Sequence, residues 1–270
     1  MIRRNKPLLG TFVEITILDD RNDSLLITEK MYRKIEKMEL IFSYHNKESE
    51  LYRINKIGKL IVDLKLSPQM AKLLKIAQKF SKLSDGIFDV TAEPYIYNKN
   101  IGCYKNIFIN KNILSTNMPI IMNLGGIAKG FIVDVISQKM LKMGLKNFIV
   151  NAGGDMYVAS DVIQKIAIRD PFDYAKIVKY IQVKNCAIAT STITGSAKLA
   201  GGMSCAFYRN SNKKPINQHV TIVSKKCVVA DILTKIYLLT NNIPKKIKKF
   251  DFNIENNKID CNKNCINENY

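Results

Sequence analysis

Pro119–Asp134 reads PIIMNLGGIAKGFIVD. An apolar run, two adjacent glycines and then apolar residues at helical spacing predict a strand, a tight turn and a helix. Gly125 and Gly126 would let the chain bend sharply and let another group approach its backbone. Lys129 and Gly130 fall in the first helical turn. Unpaired N–H groups and the positive end of the helix dipole favour an anion such as phosphate there, and Lys129 adds a point charge. The spacing is neither GxGxxG nor GxxxxGK[ST], so a purely structural turn stands beside the phosphate reading.

Downstream, a strand over Lys146–Val150 runs into NAGGD (151–155), a second glycine turn beside Asp155. Two such turns can wall one crevice. VVADILTKIYLL begins at Val228, and Ile232, Ile236 and Leu239 give it one apolar helical face. Asp231 lies near the start of that helix, where a carboxylate suits the dipole; capping and magnesium binding are both open to it. Strands are expected over Ile163–Ile168, Ile177–Val183, Met203–Tyr208 and His219–Val223, with a further one starting at Ala187.

Upstream, a strand is expected over Leu9–Leu18. A helix follows from about Ser24 to Phe42, with Ile27, Met31, Ile35, Met38 and Phe42 on one face. FSYHNKESELYRIN (42–55) begins polar and irregular and presents His45 from a loop. Ser67-Pro68 has the cap-then-proline form of a helix start. In DGIFDVTAEPY (85–95), Phe88 is suited to stack or pack. Asp89 and Thr91 are suited to bond a ligand or to cap a turn.

The chain has 270 residues, 47% of them hydrophobic, enough for a full globular core. The strands and helices together predict an α+β fold: one domain over 1–245 and a basic, Asn-rich tail over 246–270. Formal net charge is +19, but the lysines are dispersed, with one cluster at Lys245–Lys249 and no interleaved aromatic platform. Nucleic acid is therefore not expected as a partner. Six cysteines show no CxxC pair, which argues against a zinc site and fits a reducing compartment. A cytoplasmic location is expected for the chain as given, or a periplasmic or membrane-anchored one if a leader was removed.

GTF near the start, the FSYHNKESELYRIN loop, DGIFDVT, NLGGIAKGFIVD, NAGGD, IRDP, ATS and VVADILTK occur in this order. Together, over roughly Pro7–Leu239, they resemble the FAD:protein FMN transferase (ApbE) family. The resemblance implies an ApbE-like, T-fold-related mixed sheet with packed helices. It implies magnesium-dependent transfer of FMN from FAD to a threonine or serine hydroxyl of a target flavoprotein, with release of AMP. Targets in the family are often subunits of membrane redox complexes.

Carried onto this chain, the resemblance puts Leu9, His45, Ile87, Phe88, Asp89, Asn123, Lys129 and Cys205 around FAD. Lys129 would reach the phosphates, and Asp231 would join it in catalysis. Gly126, Asp231 and Thr234 would hold the metal. Three positions depart from the pattern. Asn123 stands where aspartate is usual, Cys205 where histidine is usual, and Lys235 where a threonine ligand is usual. An ammonium cannot ligate magnesium but can place charge near a phosphate. Two alternatives follow: an FAD-binding protein with little transferase activity, and an FAD pyrophosphatase in which water replaces the acceptor.

Overall fold

The computed structural model describes residues 1–92, 98–170, 173, 175–192 and 219–256. In chain order its strands are β1 (Ile2–Leu8), β2 (Thr11–Ile17), β3 (Leu64–Lys65), β4 (Ile107–Asn110), β5 (Ile113–Thr116), β6 (Phe148–Ala152), β7 (Asp155–Ala159), β8 (Gln164–Arg169), β9 (Ile177–Val183), β10 (Cys186–Thr192), β11 (His219–Ser224) and β12 (Phe252–Asn256). The helices of a turn or more are α1 (Ser24–Phe42), α2 (Glu50–Lys56), α3 (Pro68–Leu83), α4 (Ala128–Lys142) and α5 (Cys227–Thr240).

A seven-stranded sheet in the order β1-β2-β6-β7-β10-β11-β12 carries the fold. Every neighbouring pair in it is antiparallel, where a mixed sheet was expected. Its alternation sorts side chains to two faces. Val13, Ile15, Ile17, Phe148, Val150, Ala187, Ala189, Val220 and Ile222 point into the main core, against the helices. Val158, Ile188 and Val223 point the other way, where Ile168, Ile181 and Val183 of the β8–β9 hairpin cover them. With both faces covered, β11 is buried along its whole length.

Most elements lie where the apolar spacing put them. The α1 residues Ile27, Met31, Ile35, Met38 and Phe42 are all buried. Ser67 caps α3 by accepting the Met70 N–H at 3.2 Å, with Pro68 in the first helical position.

The structure departs from the sequence reading in four places. The segment leading into the 125–127 turn is not a strand: residues 119–124, all of them described, form no regular element and join no sheet. The Asn55 carboxamide stands in for a strand partner, donating to Met122 O at 2.8 Å and accepting from Met122 N–H at 2.9 Å. β1 was not anticipated, because an edge strand with one solvated side and a proline shows little alternation. α2 forms within the supposed loop, with Ser49 accepting the Tyr52 N–H. Finally, the segment assigned to a C-terminal tail supplies β12, the edge strand paired to β11. The expected strand Met203–Tyr208, Cys205, and Cys261 and Cys265 lie outside the described residues. Among the described residues, no helix is long and apolar enough to cross a membrane.

Candidate active site

The two helices α4 and α5 cap each other. Asp134 of α4 accepts N–H bonds from Cys227 at 2.7 Å and Val228 at 3.0 Å, at the start of α5. In return Asp231 of α5 accepts the Gly130 N–H at 3.1 Å, in the first turn of α4. Neither helix has a side-chain cap of its own, so each borrows a carboxylate from the other. The approach is close. A Cβ on Gly130 would sit 2.7 Å from Cys227 O and 2.8 Å from Asp231 Cβ. Gly130 is thus required by helix contact, and the anion at this helix start is the protein's own Asp231.

The turn ahead of α4 is held from both sides. Asn123 donates its backbone N–H to Val90 O at 2.8 Å and accepts Gly125 N–H on Oδ1 at the same distance. Neither Gly125 nor Gly126 adopts a positive φ. The glycines that do so near this site are Gly153 and Gly154, in the β6–β7 turn. A Cβ on Gly153 would meet Thr11 Oγ1 at 2.6 Å, so this turn packs tightly on the β1–β2 hairpin.

Asp231 is fully buried, and so is its neighbour one turn on. The Lys235 ammonium donates to Asp231 Oδ1 and, at 2.8 Å, to Ser191 Oγ of β10. Ser191 Oγ also lies 2.7 Å from Thr234 Oγ1, which itself donates to Asp231 O at 2.7 Å. Both carboxylate oxygens of Asp231 are therefore engaged, one by an ammonium and one by a backbone amide. On β7, Asp155 is 1% exposed and faces the same side of the sheet. Its Oδ2 lies 3.7 Å from Lys129 Nζ, and its Oδ1 has no partner among the described residues. Burial, and after it the Asp231 carboxylate, push the Asp155 carboxyl up to about 7, against the pull of Lys129 and Lys235.

The fold thus gathers Lys129, Asp155, Ser191, Asp231, Thr234 and Lys235 between α4, α5 and the helix side of the sheet. Asp155 and Ser191 were not singled out from the sequence. The glycines before Asp155 and the ATS hydroxyls pointed to them only once both were seen to face one helix pair. On the other face of β10 and β11, His219 Nδ1 lies 2.7 Å from Thr192 Oγ1. Its Nε2 is buried without a partner among the described residues, and burial lowers its pKa.

The remaining expected residues are more dispersed in role. Leu9 sits in the β1–β2 turn with φ 59° and donates its N–H to Glu39 Oε1 at 2.9 Å. His45 is exposed and lies edge-on to Tyr44. Ile87 is half-buried, and Phe88 is wholly buried and packs in the core. Asp89 caps its own turn: Oδ1 accepts from the Thr91 N–H and hydroxyl at 2.9 Å, and Oδ2 from the Tyr104 N–H at 3.2 Å. Gly126 is buried in the turn before α4. Cys205 lies outside the described residues. Among the described residues, no three His, Cys, Asp or Glu side chains are grouped to hold a metal ion.

A sequence model of the ApbE family matches residues 9–251. The FAD:protein FMN transferase of Vibrio cholerae is 26% identical over 258 residues, spanning 83% of this chain and 77% of that protein. The FAD:protein FMN transferase of Haemophilus influenzae is 27% identical over 197 residues, spanning 60% of this chain and 57% of its own length. In three dimensions the chain superposes on a mutant form of the flavin transferase ApbE from Vibrio cholerae with a TM-score of 0.75 at 22% identity, covering 94% of this chain and 92% of that one. The ApbE protein of Thermotoga maritima gives the same TM-score at 20% identity, covering 94% and 96%. These structures establish the shared α+β fold.

Proposed function

The chain belongs to the ApbE family, and we propose that it is an FAD:protein FMN transferase. The acceptor is a threonine or serine hydroxyl of a flavoprotein, of the kind found in membrane redox complexes. The observation that carries this reading is the convergence of the family-motif residues Lys129, Asp155, Ser191 and Asp231 on one buried polar cluster at the start of α4. A chain that kept the motifs only as turns would have no reason to bury two carboxylates with one lysine and set a second lysine at their edge, because isolated charges are expensive to desolvate.

The reaction is phosphoryl transfer. The acceptor oxygen forms a bond to the FMN phosphorus, and the P–O bond to the AMP half breaks. AMP leaves with the bonding pair, and the hydroxyl proton passes to a base. What the protein must supply is position and charge. Lys129 stands about one-quarter exposed at the edge of the cluster, where its ammonium can meet the pyrophosphate. Asp155 faces that lysine by Oδ2, and its Oδ1, buried without a partner among the described residues, is the atom to which the proton is assigned. A carboxyl that titrates near neutrality suits that exchange.

Magnesium, which the resemblance implies, would be a Lewis acid on the phosphate oxygens. The residues at Asp231 do not fit it. A hard dication is held by carboxylate charge and oxygen lone pairs, and the charge of Asp231 is already matched by the Lys235 ammonium on Oδ1, while Oδ2 accepts Gly130 N–H. Two unit charges 4 Å apart repel by roughly 4 kcal/mol at the effective dielectric of a protein surface site, and a dication doubles that. No step is therefore assigned to a metal.

The experiment is incubation of the full chain with FAD and a threonine-bearing acceptor, scoring AMP by chromatography and bound flavin by in-gel fluorescence. Both products should form together, and Lys129→Met should reduce them about 100-fold or more, the loss typical of removing one charge-stabilising donor. Free FMN with AMP would indicate the pyrophosphatase instead. Absence of AMP under all conditions would reject the transferase.

A further inference from the structure

We propose that the Lys235 ammonium is this protein's built-in replacement for a divalent cation, so that FMN transfer by this chain needs no divalent metal. The inference rests on the transferase reading above and names the source of positive charge within the same site.

Lys235 and Asp231 are four residues apart on α5, so helix geometry alone sets their side chains one above the other. The pair is almost entirely removed from water, with side-chain exposures of 5% and 0%. Ser191 Oγ takes a second ammonium proton at 2.8 Å. Thr234 Oγ1, the other side chain expected to ligate a metal, is bound to Asp231 O and Ser191 Oγ. One oxygen that a cation would use, Asp231 Oδ1, thus already faces an ammonium, with Ser191 Oγ as the second acceptor, and that ammonium is covalently attached to the helix. A lysine placed this way is a compact point charge with three donors. Together with Lys129, it provides the cationic surroundings in which the new bond forms from acceptor oxygen to FMN phosphorus. AMP departs with the electrons of the broken P–O bond, and the hydroxyl proton goes to Asp155. The balance of the reaction includes no metal.

The test titrates Mn2+, as a paramagnetic probe, into the chelator-washed full chain and follows its EPR signal. The wild-type chain should take up no stoichiometric Mn2+. Lys235→Ala should gain one site, and Lys235→Ala with Asp231→Asn should lose it again. Stoichiometric Mn2+ on the wild type that disappears in Asp231→Asn would overturn the proposal, and this comparison stands even if Lys235→Ala does not fold. A folded Lys235→Ala that binds no Mn2+ would overturn it too, because the ammonium would then not be what excludes the metal. In the second arm, AMP release and acceptor labelling are compared in EDTA and in Mg2+. Equal rates support the proposal, and activity only with Mg2+ rejects it. If neither condition gives product, the transferase reading has failed, while the Mn2+ titration still decides the role of Lys235.

Discussion

Gly130 and Asp231 touch in two ways: the glycine amide donates to the carboxylate at 3.1 Å, and a Cβ on the glycine would lie 2.8 Å from the aspartate Cβ. The hydrogen bond and the missing side chain are one device. It brings α4 and α5 close enough for each to cap the other.

Gly130→Ala should therefore be destabilising although alanine is the better helix former. The added methyl meets the Cys227 carbonyl, which is backbone and cannot rotate away. Overpacking of this kind costs about 1–3 kcal/mol. Urea unfolding should show a lower midpoint at unchanged slope. A midpoint equal to wild type would show that the two helices are not held at this distance.

Asp134 gives a stability signal that depends on pH. Burial pushes its carboxyl up to about 6, despite the N–H bonds from Val228 and Cys227. The folded chain then holds a proton that the unfolded chain releases between the ordinary value of 3.8 and about 6. The contribution of this group is fully present below that window and is lost as pH rises through it. A shift of this size corresponds to roughly 3 kcal/mol. Wild-type stability minus that of Asp134→Asn should fall across the window, measured by urea unfolding at each pH. A flat difference would contradict the assignment.

Asn55→Ala removes both hydrogen bonds to the Met122 backbone. Leaving that amide and carbonyl without protein partners should cost about 1–3 kcal/mol. Amide hydrogen exchange should quicken selectively at Met122 and through the following turn. Unaltered protection there would mean that the carboxamide does not secure the segment.

Asp155 links charge to turnover. If its carboxylate receives the acceptor proton, labelling should rise with pH toward a plateau above about 7. Asp155→Asn should remove that rise and lower the rate by about 100-fold, within the range of general-base contributions. A variant with the wild-type pH profile would assign the proton to another group. Circular dichroism of the variant separates loss of the base from loss of the fold.

Much of the site was legible, and the illegible part has identifiable causes. NLGGIAKGF announced a turn and a helix, and Lys129 does stand at the edge of the cluster. The motif could not show that the Gly130 amide is spoken for, because its acceptor lies 101 residues away. Phe88 and Asp89 look equally suited to a ligand and to a capped turn. The tertiary structure shows a packing role for the one, which is buried, and a capping role for the other, which accepts from Thr91 and Tyr104. β12 was hidden by its polar, Asn-rich composition, since an edge strand is held by its backbone ladder to β11 more than by apolar side chains.

The sequence by itself determined the α+β class, the apolar faces of α1 and α5, and the ordered motifs of one family. It also determined that Asp231 and Lys235 share a helix face, because the helical period is local. Only the tertiary structure decided that this face is buried against β10, that Ser191 closes the network, and that Asp155 is the carboxylate beside Lys129. Those relationships join segments far apart in the chain, and their electrostatic strength comes from exclusion of water. Exclusion of water belongs to the packed fold and to no stretch of sequence.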